Sequence, residues 1–241
     1  MINSLYDSLI RLDETDSTNA EALRRAADLS GDFAVTAEYQ SAGRGRMGRS
    51  FASPKGSGLY ISVLERRELS PELTARVAVS VAKAIESVCG LFCDIKWPND
   101  IQYDGKKLCG ILCERAPSVD AAAVVIGIGI NLSQSEEDFA DLKDIATSLR
   151  LCGKEVDKEA LTKALLTELD LMLSGAGKDE YLSYYRAHSN CIEKSIYLIS
   201  GNKKIPAYAA GISDDFELIV RLEDGSEKRI STGEISLRFR G

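Results

Sequence analysis

Three segments of this 241-residue chain carry residue types that could do chemistry together. The first, EYQSAGRGRMGRSF (Glu38 to Phe51), sets Arg44, Arg46 and Arg49 among Gly43, Gly45 and Gly48. Glycines let a backbone curl and approach a ligand. Arginines offer planar, permanently charged forks that suit carboxylate and phosphate. So much like charge in one loop is unfavourable unless an anion orders it; a solvated basic turn is the plain alternative. Gly43-x-Gly45-x-x-Gly48 formally matches a dinucleotide fingerprint, but that motif must open a helix. Here SFASPKGSG runs on as a loop into the strand-like LYISVLE, so a dinucleotide fold is set aside.

The second segment is DIKWPNDIQYDGKKLCGILCE, Asp94 to Glu114. Trp97, the only tryptophan, precedes Pro98 and reads on its own as packing. Asn99 and Asp100 then stand side by side on a bend. Asp100 is either a turn cap or one carboxylate for Mg2+, which one or two carboxylates plus phosphate commonly hold. Lys107 enters a strand that otherwise reads as buried, so it either snorkels outward or aims at a ligand. The third segment is IGIGIN, ending at Asn131. Ile126, Ile128 and Ile130 share one face and Gly127 and Gly129 the other. A bare glycine face weakens a strand unless something flat approaches it; close packing against a helix is the alternative.

These residues need elements to position them. A Thr18-x-x-Glu21 capping box predicts a helix start. Strands are predicted over Phe33 to Gln40 and Leu59 to Glu65. A long helix follows from Pro71, with Leu73, Val77, Val81, Ala84, Ile85 and Val88 on one face. Short strands come next in FCDIKW, KLCGILCE and AAVVIGIGIN, with a hairpin signal at Asp104-Gly105. The stretch 136–149 reads as partly helical. Asp157 caps a further helix, with Val156 and Leu161 as a hydrophobic staple, and KDEYLSYYRAH forms another, ending near His188. After Cys191 the texture changes to IYLI, AYAAGI, FELIVRLE and EISLRF, with a second hairpin signal at Asp224-Gly225, the pattern of a small β-barrel. Residues 1–190 and 191–241 are therefore expected to be separate domains.

Composition bounds the function. Hydrophobic residues at 44% and charged ones at 28% are ordinary globular usage. Net charge is −7, whereas a protein that holds nucleic acid usually shows a basic face, so any anion must be met by a local positive cluster. The longest apolar stretch, Ala121 to Ile130, is shorter than the roughly 20 residues a membrane span needs. The first residues lack the pattern of a signal peptide. The six cysteines form no C-x-x-C pair, and the single histidine, His188, lies close only to Cys191. Zinc is thus not expected, and reduced thiols in a cytoplasmic protein are.

Taken together, DSTN (Asp16 to Asn19), EYQSAGRGRMGRSF, KWPND (Lys96 to Asp100), KKLCGIL, GIGIN and GEISLR (Gly233 to Arg238) resemble the biotin–protein ligases, in that family's order. The resemblance implies an α/β fold: a mixed sheet with helices, related to class II synthetase and lipoate ligase catalytic domains, followed by a C-terminal SH3-like β-barrel. It implies that biotin is activated with ATP to biotinyl-5′-AMP and then passed to a lysine of a biotin carboxyl carrier protein, of acetyl-CoA carboxylase or a related carboxylase. Biotin contacts would come from Ser17, Thr18, Asn19, Gln40, Arg44, Gly45, Arg46, Lys107, Gly110 and Gly129. Arg46, Arg49, Phe51, Trp97, Asn99, Lys107 and Asn131 would bind the nucleotide. Lys107, Arg44, Arg46 and Asp100 would carry the chemistry, with Asp100 also the candidate ligand for Mg2+. Phe51 stands where many members have tryptophan, which removes an indole donor. Gly45→Ser is expected to loosen retention of the intermediate. DSTN begins only at Asp16, so a ligase without a DNA-binding repressor domain is expected, with neither nucleic acid nor membrane as partner. AAVVIGIGIN could pair across a two-fold axis, which leaves a homodimer open. The rivals are a lipoate- or octanoate-adenylating ligase and a biotinyl-AMP-binding regulator without transfer activity.

Overall fold

The computed structural model describes residues 4–239 apart from 121, 176, 201–202 and 232–234. In chain order the first part runs β1 (Leu9–Thr15), α1 (Thr18–Arg25), β2 (Phe33–Gln40), β3 (Gly58–Glu65), α2 (Leu73–Cys89), β4 (Asp94–Lys96), β5 (Asp100–Tyr103), β6 (Lys106–Arg115) and β7 (Val124–Asn131). A short α3 (Glu136–Phe139), α4 (Lys158–Leu173) and α5 (Lys178–His188) follow. Then come β8 (Lys194–Ser200), β9 (Lys203–Ile212), β10 (Leu218–Leu222), β11 (Glu227–Ile230) and β12 (Ile235–Phe239). The first seven strands make one mixed sheet in the order β1-β2-β3-β7-β6-β5-β4, with β1 and β2 parallel and the other pairs antiparallel. The last five make a separate antiparallel sheet, β11-β10-β9-β8-β12. This is the expected fold class. Of GEISLR, Gly233 and Glu234 lie outside the described residues.

Alternation decides the two faces of the large sheet. Ile126, Ile128 and Ile130 of β7 join Leu59, Ile61 and Val63 of β3 in the main core, which α2 and α4 cover. Gly90, left-handed at φ 59°, ends α2. Asp157 caps α4 by accepting from the Glu159 and Ala160 amides at 2.9 and 3.4 Å, and Leu161 beyond it is fully buried. On the opposite face α1 packs on β2, β3 and β7 over a smaller cluster built on Ala22, Phe33, Val35 and Val125. The glycine face of β7 therefore lies on the α1 side. The second sheet rests on α5, where Tyr185 meets Phe216 edge to face and Arg186 donates to the Ile212 carbonyl. No helix among the described residues is long and apolar enough to cross a membrane.

Three expectations are corrected, and one strand lies where none was expected. The capping box does not form: Ser17 is the N-cap, the Thr18 hydroxyl donates to Gln40, and Glu21 pairs with Arg24 and Arg25. FCDIKW keeps only Asp94–Lys96 as strand, because the turn at Trp97-Pro98, a cis bond, starts the separate strand β5. Arg11, Asp13 and Glu14 interrupt the apolar pattern of β1, which hides it in the sequence; among the described residues it is an edge strand beside β2. β7 lies between β3 and β6 with both edges hydrogen-bonded, so AAVVIGIGIN has no free edge to offer across a two-fold axis.

Candidate active site

The arginine segment is a narrow loop returning on itself. Ser41 and Ala42 amides donate to Thr15 and Asp16 carbonyls, the Phe51 amide to Gly43 at 2.8 Å, and the Gly45 amide to Arg49 at 2.7 Å. No helix opens at Gly48; Arg46–Gly48 is a single tight turn, with Met47 left-handed at φ 56°. The glycines are not equivalent. A Cβ on Gly43 would lie 2.4 Å from the Phe51 carbonyl and 2.7 Å from Ser53 Oγ. A Cβ on Gly45 meets nothing closer than the Arg49 carbonyl at 3.4 Å, and its φ of −118° suits any residue. In this conformation the indispensable glycine is Gly43 rather than Gly45.

The loop borders a cavity of about 220 Å3 on the α1 side of the sheet. One wall is polar and uncharged. Ser17, Thr18 and Asn19, at the entrance to α1, are buried and line it with Gln40 from the end of β2. Gln40 Oε1 accepts from the Thr18 amide at 2.8 Å and the Thr18 hydroxyl at 3.0 Å, while its Nε2 donates to Ser53 Oγ at 2.7 Å. Behind them Ser62 of β3, fully buried, holds its hydroxyl 2.7 Å from Thr18 Oγ1 and 2.6 Å from Asn19 Oδ1. Asn19 Nδ2 donates to Glu114 at 2.9 Å, and Arg44 Nη2 reaches the same carboxylate oxygen at 3.0 Å. A Cβ on Gly127 would lie 2.2 Å from Asn19 Oδ1, so a bare β7 makes the space for this side chain.

The floor is glycine backbone covered by an aromatic ring. Phe51 lies over Gly129 and Gly110, where added Cβ atoms would come within 2.6 and 3.3 Å of its ring. The flat group that the bare face anticipated is thus the chain's own phenyl. Lys107 reaches this face through a bulge. Asp100 pairs with Gly110 and Ile101 with Cys109, but Gln102 pairs with Lys107, which leaves Leu108 as the extra residue. Such a bulge breaks the alternation and re-aims the side chain beyond it. Leu108 enters the core, and Lys107 joins Gly110, whose added Cβ would be 3.1 Å from Nζ. Lys107 Nζ stands 2.6 Å from Asp100 Oδ1.

Arg46 completes the positive side. It donates to Asn99 Oδ1 at 3.0 Å, and Asn99 Nδ2 is fixed by the Ile111 carbonyl at 2.6 Å. Burial first, then the nearby Arg49 charge, pushes the Arg46 pKa down, while Asp100 opposes the shift. The guanidinium stays charged and is thereby a partly desolvated cation that gains from an arriving anion. Arg49 and Lys96 also line the cavity.

One sequence-predicted residue falls elsewhere, and a second lines the cavity from the core side. Asn131 does not line the cavity: its carboxamide donates to the Thr147 carbonyl and accepts from Gln134. Trp97 touches the cavity but is only 2% exposed and packs within the main core. Sequence reasoning missed Ser62, Gly127 and Glu114. Only Gly127 had a signal, its place on the glycine face. For a divalent ion, Asp100 is the one carboxylate lining the cavity among the described residues, and it is paired with Lys107. No group of three His, Cys, Asp or Glu side chains fit for a metal occurs among the described residues. The residues fit an ion that arrives on a nucleotide's phosphates rather than a protein-built cage.

Arg44, Arg46, Arg49 and Lys107 face a polar, uncharged corner across one cavity. Such an arrangement can orient a neutral hydrogen-bonding head group, neutralise a carboxylate beside a phosphate, and stabilise charge on transferring oxygens.

Residues 9–131 match the biotin/lipoate A/B protein ligase family and residues 192–238 the biotin protein ligase C-terminal domain. A bifunctional ligase/repressor of Escherichia coli is 35% identical over 92% of this chain and 72% of its own length. A biotin–[acetyl-CoA-carboxylase] ligase of Mycobacterium tuberculosis is 33% identical over 92% of this chain and 86% of its own. Among solved structures, the Aquifex aeolicus biotin protein ligase in complex with biotin and ATP superposes with a TM-score of 0.84, at 30% identity, over 97% of this chain and 99% of that one. The Leishmania major biotin protein ligase with biotinyl-5-AMP gives 0.65, at 26% identity, over 93% and 98%.

Proposed function

The chain belongs to the biotin/lipoate A/B protein ligase family and is a biotin–protein ligase, and we propose that the cavity beneath its arginine loop is where both half-reactions occur. The observation that carries this is the union, in one cavity, of Arg44, Arg46 and Lys107 with the uncharged corner of Ser17, Thr18, Asn19 and Gln40. Biotin needs both: hydrogen-bond partners for a neutral ureido ring and cations for its carboxylate tail. A greasy lipoyl or octanoyl chain needs neither hydroxyls nor amides at its far end, and a site built around them rejects analogues that cannot pair with them.

The first step joins two anions. A biotin carboxylate oxygen attacks the α-phosphorus of ATP, the bond to the bridging oxygen breaks, and pyrophosphate leaves. Desolvating like charges is unfavourable by several kcal/mol unless cations are already in place. Arg44, Arg46 and Lys107 supply them, and Asn99 and Asp100 hold two of the three before substrate arrives, at 3.0 and 2.6 Å. Asp100 is the residue that would hold a Mg2+ ion, which would supply neutralising charge to the ATP phosphates. Phe51 presents the apolar surface on which the adenylate lies. In the second step the neutral amine of a carrier lysine attacks the carbonyl carbon of the mixed anhydride, and AMP leaves. A lysine with pKa about 10.4 must first lose its proton; Asp100, freed from Lys107 when the phosphate takes its place, accepts it. The acceptor is a biotin carboxyl carrier domain of acetyl-CoA carboxylase or a related carboxylase. Residues 1–190 hold the active site and 191–241 form the second domain.

Incubation with ATP, Mg2+, biotin and a carrier domain, followed by an avidin blot, tests the reading. Wild type labels the carrier. Lys107→Ala stays folded and labels it at least a hundredfold more slowly. Exchange of pyrophosphate driven by lipoate but not by biotin would replace this reading with its rival.

A further inference from the structure

Glu114 closes the second of the three chemistry-bearing segments without a role in them, and as a carboxylate it is out of place beside a site for anions. Its position explains it. One oxygen, Oε2, accepts from Arg44 Nη2 at 3.0 Å and from Asn19 Nδ2 at 2.9 Å. It therefore joins the arginine loop to the start of α1, two parts of the cavity wall 25 residues apart in the chain.

A carboxylate only accepts hydrogen bonds, so Asn19 must turn its NH2 toward Glu114. On the other side, the buried Ser62 hydroxyl lies 2.6 Å from Asn19 Oδ1 and donates to it. The acceptor-only Glu114 carboxylate thus assigns the orientation of the carboxamide, and the Ser62 hydroxyl, able to donate or accept, completes it. Asn19 is 4% exposed and sits where Gly127 leaves room, so it cannot turn over without leaving a buried polar atom unpaired. Neither a solvated surface acid nor a simple counter-charge to Arg44 requires the contact with a buried amide.

We propose that Glu114 is the positioning residue that sets biotin specificity: it fixes the donor and acceptor pattern of Asn19 and docks Arg44 beside it. This rests on the reading above, in which Asn19 faces the biotin head group. An amide at position 114 has the same shape but offers one acceptor and one donor. With its carbonyl oxygen in the place of Oε2 it still accepts from both Arg44 and Asn19, without the charge, whereas alanine offers no acceptor. The expected defect falls chiefly on recognition of biotin, since Glu114 holds Asn19 and Arg44 while Lys107 is held by Asp100.

The test is steady-state pyrophosphate exchange by Glu114→Ala, Glu114→Gln, Asn19→Ala and the double variant of the two alanine substitutions, with melting temperatures for each. Wild-type exchange driven by biotin establishes the underlying reading independently. Glu114→Ala is expected to raise KM for biotin about tenfold, with KM for ATP within twofold of wild type, and Glu114→Gln to restore KM for biotin to within threefold of wild type. Because Glu114 acts through Asn19, adding Glu114→Ala to Asn19→Ala is expected to raise KM for biotin by less than threefold more. Multiplicative effects of the two substitutions overturn the proposal, as does a Glu114→Ala defect that raises KM for ATP as much as KM for biotin. If Glu114→Ala melts early, all variants are compared at a temperature where each is folded, and the same defect in KM for biotin must appear there.

Discussion

Gly127→Ala adds one methyl group at the point where β7 passes Asn19, and the structure sets the size of the effect. The new Cβ would lie 2.2 Å from Asn19 Oδ1 and 2.9 Å from its Cγ. Non-bonded atoms of this kind need about 3.5 Å, so the oxygen must retreat by roughly 1 Å. The strand cannot yield in its place, because Gly127 pairs with Ser62 on one side and Leu112 on the other. Asn19 moves, and its bonds from Ser62 and to Glu114, at 2.6 and 2.9 Å, weaken together. A neutral bond contributes about 1 kcal/mol and one to a charged group about 1.5–3. Losing half of that sum is about 1.5 kcal/mol, or roughly tenfold in biotin affinity. A misplacement near 1 Å in a reacting complex can reach about a hundredfold in rate. Titrating biotin and ATP separately in pyrophosphate exchange should show KM for biotin up tenfold or more and KM for ATP little changed. A folded Gly127→Ala with wild-type KM for biotin would refute the reasoning, because it would mean that the Asn19 contact is no part of the recognition wall.

Further expectations follow from the same geometry. Gly43→Ala should lower the melting temperature and slow the reaction, since its Cβ strikes the Phe51 carbonyl at 2.4 Å, while Gly45→Ala should leave the melting temperature unchanged. A loss of biotinyl-AMP retention by Gly45→Ser would then report a ligand-bound loop conformation, read by the rate at which adenylate escapes into buffer. Glu65, remote from the cavity at the end of β3, has its carboxyl pushed up to about 7 by burial first and by the Asp32 carboxyl second, against its pairing with Arg67. The native state thus holds that proton above the ordinary value near 4.5, so this contribution to stability is complete below pH 4.5 and disappears as pH rises through 7. Glu65→Gln should flatten the pH dependence between pH 5 and 8 and raise stability at pH 8 by on the order of 2 kcal/mol, measured by denaturant unfolding.

Residues whose chemistry shows in their type were legible in the chain. Arg44 and Arg46 line the cavity, as guanidinium groups on a glycine-rich loop suggest, and Lys107 takes the ligand-facing one of its two readings, while Gln40 was named through the family resemblance alone. The alternation of Ile126 to Ile130 gave the core face of β7 and, by subtraction, its bare face. What stayed hidden was set by partners distant in sequence. Ser62 is one serine in an apolar strand, and only the fold brings it under Asn19. Glu114 ends a strand motif like any surface acid until Arg44, 70 residues away, folds onto it. The Leu108 bulge arises from pairing with β5 and leaves no mark in the string KKLCGIL. Thr18 read as a helix cap because its spacing to Glu21 matched one; Gln40 competes for the same hydroxyl and wins. Gly45 and Gly43 look alike in sequence, and only the return of Phe51 beneath the loop distinguishes them.

The account stands or falls on the convergence of positive groups at the junction between the vitamin and its nucleotide. A crystal structure of this chain with biotinyl-5′-AMP bound measures that directly. The expected result is Lys107 Nζ and the guanidinium groups of Arg44 and Arg46 within about 3 Å of the carboxyl and phosphate oxygens of the mixed anhydride, with Asp100 displaced from Lys107. An adenylate bound with Lys107 still on Asp100 and both arginines turned to solvent would contradict it.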